Sequence, residues 1–147
     1  MLKPTITITS DIQMAYFNVE NAKAIQWCVI QACGNSQEPH VLRLLPYLEA
    51  YLLEMGEVEE KLKALYDLEQ NGKGFCNASV AMRAHRALSS LDEGYWRDVA
   101  ETAPNESLVA KKSDIYILGS LQGINTLLNK SLKLMELVLG SPVNKAA

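Results

Sequence analysis

VLRLLPYLEAYLLEMGEVEEKLKALYDL, residues 41–68, carries Val41, Leu45, Leu48, Leu52, Met55, Leu62 and Leu65 at steps of three, four and seven. Such steps keep side chains on one stripe of an α-helix, and the stripe is a seam that needs a partner. A second ladder lies in the other half of the chain: Leu118, Leu121, Asn125, Leu128, Leu132, Met135 and Leu139. Two such ladders predict an all-α fold, an antiparallel bundle of about four helices, two long and two shorter.

Working outward from these stripes, the punctuation of the chain predicts four helices. Ser10 with Gln13 forms a capping-box pattern that starts the first, and Gly34-Asn35 stops it. Ser36 caps the second, which runs to Asn71. Pro46 removes an amide donor within it and should kink it near Leu42 to Pro46. Asn77 caps a third helix carrying Val80, Met82, Ala84, Ala87, Leu88 and Leu91, with Gly94 as a candidate break and Pro104 as the stop. Asn105 or Ser113 starts the last, which ends before Gly140-Ser141-Pro142. Connections of a few residues force neighbours to run antiparallel, in up-down order. The domain organisation is then a short extended arm over 1–10, the bundle over 11–140 and a loose tail over 141–147. The arm is read from Thr5 to Thr9, where threonine alternates with Ile6 and Ile8, a strand pattern with nothing local to pair with.

Composition sets the outer bounds. A chain of 147 residues, 48% hydrophobic and 21% charged, makes one globular domain with its own core. A net charge of −3 argues against a dedicated nucleic-acid binder, which carries a basic excess. No secretory signal opens the chain, and the uncharged run Ile115 to Leu128 falls short of the roughly twenty apolar residues a membrane span needs. The three cysteines, Cys28, Cys33 and Cys76, form an odd set that fits free thiols in a reducing compartment. Localisation is therefore read as cytoplasmic, with no membrane and no nucleic-acid partner.

Enzymatic signatures fail one by one. The histidines, His40 and His85, have Gln37 and Met82 three residues before them, so the Glu-x-x-His pattern of di-iron bundles is missing. No Cys-x-x-Cys pair marks a zinc site. Cys76 sits near a helix start and His85, but no oxyanion loop or orienting acid accompanies them. Gly72-Lys73-Gly74 lacks the spacing and the Lys-Ser/Thr pair of a phosphate loop. The chain is read as a non-enzyme without cofactor or metal.

What remains are contact surfaces. Tyr47 and Tyr51 lie one turn apart beside the first ladder, at an edge that a second chain could cover. Glu57 and Glu60 belong to an acidic run, Glu54 to Glu60, that offers a face to a basic partner. These four, Tyr47, Tyr51, Glu57 and Glu60, are the candidate partner-binding residues. A weaker anion site is read from Lys73, Arg83, His85 and Arg86, against the simpler reading that these bases pair with the acidic long helix. Trp27 and Trp96 are assigned to the core. Gly119 and Gly123, four apart, should let a neighbouring backbone approach closely. Asn125 either fixes register inside the seam or turns toward solvent.

The leading functional expectation is a helical protein–protein interaction module, an adaptor or regulator acting as a homodimer. Two alternatives stand beside it: a small inhibitor, immunity or chaperone-like protein, and a small-molecule or anion-binding bundle.

Overall fold

The structure, a computed structural model, describes residues 10–37, 39–71, 78–100 and 112–140. Its elements are α1 (Asp11–Gly34), α2 (Pro39–Leu42), α3 (Leu45–Gln70), α4 (Ala78–Tyr95), a π turn (Trp96–Ala100) and α5 (Lys112–Gly140). Every regular element among the described residues is helical, so the all-α bundle read from the ladders is the fold. The Ile/Thr arm, the tail, and the boundaries proposed at Asn77, Pro104 and Asn105 lie outside the described residues.

Local chemistry explains the helix ends. Ser10 adopts an extended backbone and its hydroxyl accepts the amide of Gln13 at 3.0 Å, satisfying one of the amides a helix start leaves open. Asn35 closes α1, its amide reaching the carbonyls of Ala32 and Cys33. The effect of Pro46 exceeds a kink. Helix α2 ends at Leu42, residues 43 and 44 form a turn, and α3 restarts with Pro46 in its first turn, where a missing amide costs nothing.

Helix α1 packs on α3 and α5, and α4 packs on the same two, so the four long helices form a closed ring. Side-chain pairs give the directions. Ser10 meets Glu69 and Lys23 meets Glu59, so α1 and α3 are antiparallel. His85 meets Glu136 and Asp92 meets Asn129, so α4 and α5 are antiparallel too. This is the up-down layout that short connections impose.

Each helix buries a stripe with a seven-residue repeat. On α1 it is Ile12, Val19, Gln26 and Cys33 alternating with Ala15, Ala22 and Val29. On α3 it is Leu48, Met55 and Leu62 alternating with Tyr51, Val58 and Leu65. Leu45 and Leu52, expected in that seam, are half-buried instead. Helix α5 buries Leu121, Leu128 and Met135 as expected, but the companion column is Ile117, Ile124, Ser131 and Val138. Asn125, Leu132 and Leu139 sit half-buried on its flank, a rotation of one residue. Each fully buried leucine contributes about 1.5–3 kcal/mol.

The rotation has a cause in α1. Its seam includes the small residues Ala15, Val19, Ala22 and Val29, so α5 can come close. Ser131, fully buried, donates its hydroxyl to the Ala15 carbonyl at 2.9 Å, which only a short side chain between near backbones can do. The expected approach at Gly119 and Gly123 does not occur: a Cβ added at either would meet nothing within 4 Å. Trp27 and Trp96 are also corrected, being 57% and 50% exposed.

Helix α4 carries one irregularity. Its buried column Ala84, Leu91 would next place Asp98 in the core. The π turn adds a residue, so Val99 takes that slot and Asp98 turns to the edge. Burying an unpaired carboxylate would cost far more than one irregular turn.

Candidate functional site

The π turn belongs to a polar network that crosses the bundle. Gln26 on α1 is fully buried and donates to the Leu48 carbonyl on α3 at 3.0 Å. Its Oε1 accepts the hydroxyl of Tyr95, also fully buried, at 2.7 Å. The Tyr95 and Tyr51 rings meet edge to face, with centroids 5.6 Å apart. Tyr51 donates its hydroxyl to Asp98, which also receives Arg97 at 3.1 Å. Gly94 makes this arrangement fit, since a Cβ there would stand 2.7 Å from the Tyr51 hydroxyl.

The electrostatics follow from burial and these bonds. Burial first, and then the bond to Asp98, push the Tyr51 phenol up to about 12. Burial raises Tyr95 as well. Hydrogen bonds from Arg97 and then Tyr51 hold Asp98 below the usual carboxylate range. Both phenols stay protonated at neutral pH, so the network serves as an internal brace that joins α1, α3 and α4.

That result moves Tyr51. It is not an edge residue awaiting a partner but a core residue, 9% exposed. Tyr47 is 50% exposed, and Glu57 and Glu60 are exposed, so these three stay on the surface. The acidic run pairs with a different helix from the one expected. Among the described residues its ion pair is Glu59 with Lys23 of α1, at 3.1 Å, not with the bases of α4.

The basic cluster also divides. Arg83 and Arg86 are exposed, whereas His85 is half-buried and faces Glu136 on α5 at 4.0 Å. Lys73 and Cys76 lie outside the described residues. Among the described bases of this cluster, only His85 has an acidic partner, on α5. Among the described residues no three His, Cys, Asp or Glu side chains form a metal-holding group.

The sequence ladders gave no hint of a groove between the C-terminal half of α1 and the start of α5. It encloses about 400 Å³ and is lined by Ala24, Ile25, Cys28, Val29, Ala32, Tyr116, Ile117 and Ser120. None of these side chains is charged. Tyr116 is 69% exposed and Ile25 and Cys28 are exposed, so apolar surface stands open to water along both walls. The small residues of α1 create the hollow: Ala24 and Ala32 leave room where larger side chains would fill the cleft. Ser120 spends its hydroxyl on the Tyr116 carbonyl at 2.9 Å, which leaves the floor without a free donor there. The only sequence trace of the groove was the uncharged run from Ile115 to Leu128.

Among the described residues no helix is long and apolar enough to cross a membrane. No protein-family model, no characterised protein and no solved structure matches this chain.

Proposed function

We propose that the protein is a non-enzymatic helical protein–protein interaction module whose docking surface is the groove between α1 and α5. The observation that supports this is the uncharged cleft itself, with Ile25 and Tyr116 held open on its rims. Exposed aromatic and aliphatic anchors around a hollow are the material of interface centres. The surface residues Tyr47, Glu57 and Glu60 supply a separate, polar face on α3 that serves as rim or steering charge.

The proposal includes self-association. An uncharged cleft can meet its own copy around a two-fold axis without charge repulsion. The free, exposed thiol of Cys28 suits a reducing, cytoplasmic setting.

Light scattering of the full chain, with and without Ile25→Asp plus Tyr116→Asp, tests the reading together with capture from native lysate by a photo-crosslinking residue at position 28. The expected result is a two-chain mass, or a discrete crosslinked partner, that the double variant abolishes. A one-chain mass with no crosslink, or crosslinks indifferent to the substitutions, removes the assignment.

A further inference from the structure

The groove between α1 and α5 has a projection on its own rim. Tyr116 stands on the α5 wall and is 69% exposed, so most of its ring lies outside the hollow it borders. Beyond it on α5, Gly119 and Gly123 are exposed, and a Cβ at either would meet nothing within 4 Å. At steps of three and four residues, Tyr116, Gly119 and Gly123 share one ridge. The glycines leave bare backbone on that ridge, where another chain can come close. The surroundings carry no charge: α1 has no charged residue after Lys23, and α5 has none between Asp114 and Lys130.

We propose that the occupant of the groove is Tyr116 of a second copy of this chain, each copy placing its ring in the other's hollow. The proposal rests on the interaction-module reading and names the occupant of that same groove. Projection and hollow lie on one face and at one level, because Tyr116 and Cys28 line the same space. That is the self-complementary arrangement a two-fold contact requires. A two-fold axis parallel to the helices, running along the ridge of Tyr116, Gly119 and Gly123, carries each ring across to the partner's hollow. It also sets the two ridges face to face, where the glycines remove side chains that would hold the helices apart. The ring buries its large apolar area and keeps its hydroxyl at the open mouth of the groove. An uncharged face admits its own copy without repulsion, whereas a basic or acidic partner finds no opposite charge there. Lys130, seven residues beyond Gly123, is exposed on the same ridge and would face its own copy, so it confines the contact to the first half of α5.

The test is a pair of complementary variants of the full chain, followed by sedimentation and native mass spectrometry. Tyr116→Ala removes the projection and keeps the hollow. Ala24→Leu plus Ala32→Leu fills the hollow and keeps the projection. All three positions are exposed, so the core is untouched. The unsubstituted chain should dimerise. An aromatic ring at an interface centre is worth about tenfold in affinity, so losing both should weaken either variant's homodimer about a hundredfold. Mixing the two variants restores one ring in one hollow. The mixed dimer, resolved by its mass, should be about tenfold tighter than either homodimer, which also shows that both variants are folded. A chain that stays single across the concentration range overturns the proposal, as do Tyr116→Ala homodimers of undiminished strength or a mixed dimer no tighter than the variants' own. The groove reading is judged separately. Crosslinking of a different protein at position 28 sustains that reading while overturning this one, and a single chain with no crosslink removes both.

Discussion

The α1–α3 seam and the α4–α5 seam occupy equivalent places in the ring and are built to different standards. Along α1–α3, Ser10 donates to Glu69, Gln13 reaches the Tyr66 hydroxyl at 3.4 Å, and Lys23 pairs with Glu59 at 3.1 Å. Tyr16, Phe17 and Tyr66 stack with centroids 5.6 to 6.5 Å apart. Along α4–α5, His85 stands 4.0 Å from Glu136, and Asp92 and Asn125 each keep an oxygen without a partner. Both seams bury full apolar stripes, so both hold the bundle. The contrast lies in their polar flanks: on α1–α3 the buried Glu59 Oε2 makes no formal hydrogen bond but has the Lys23 ammonium at 3.1 Å, whereas the buried oxygens of Asp92 and Asn125 have neither a hydrogen bond nor a cation. Unmet demand of this kind costs stability.

The largest effects should ignore this difference. Leu62→Ala on α3 and Leu128→Ala on α5 each remove a fully buried leucine. Chemical denaturation should show each losing about 2–5 kcal/mol. A much smaller loss for Leu128→Ala would mean that the α4–α5 side is loosely packed as well as polar, and the comparison would need restating. Next in size is the brace that joins α1, α3 and α4. Tyr95→Phe leaves Gln26 Oε1 buried without its donor and should cost about 1–3 kcal/mol, read as a lower denaturation midpoint with unchanged slope.

The comparison is sharpest at Asp92. Asp92→Asn supplies a donor to the unsatisfied flank and should stabilise the protein by about 0.5–1.5 kcal/mol at neutral pH. The sign with pH follows from the raised folded-state value of Asp92. A carboxyl that holds its proton more tightly when folded favours folding at acid pH, and that advantage is lost as pH rises through the folded value. The gain from the substitution should therefore appear above that value and vanish in acid. A loss of stability at neutral pH would show that Asp92 is already satisfied. The smallest effect belongs to the α1–α3 flank. Lys23→Ala breaks an ion pair whose lysine is 42% exposed. It should cost about 0.2–1 kcal/mol, with salt erasing most of the difference in melting temperature.

How much of this was legible in the residues differs by helix. Leu48, Met55, Leu62 and Leu65 declared the buried stripe of α3 because strong apolar residues recur there with charges between them. Tyr51 was misplaced because it shares a second buried column with Val58 and Leu65, of which only Leu65 had been counted in the seam. On α5 two columns flank Leu121, Leu128 and Met135. Leucines at 132 and 139 outweighed Ser131 by hydrophobicity. What decided the matter was space: Ser131 fits against the Ala15 carbonyl where a leucine would hold the helices apart. The tryptophans misled for a related reason. Size argued for burial, yet position 27 falls off the buried column of Ala22, Gln26 and Val29.

The groove could not be read from any motif, since it is a shortage of side-chain volume spread over two distant segments. The polar network had a trace in Gln26, a lone amide on an apolar helix, but its partners Tyr95 and Leu48 are brought to it by the ring of helices alone. The π turn left a fainter trace, an aspartate falling on a core position of the repeat.

That extra residue sets the heading of the chain. A turn of α-helix spans 3.6 residues, so one inserted residue swings everything downstream by about 100°. A length variant in this stretch would re-aim the exit from α4 rather than merely lengthen it. Replacing the exposed Trp96 should be forgiven, while a single-codon deletion in residues 96–100 should return Asp98 to the core column and cost far more.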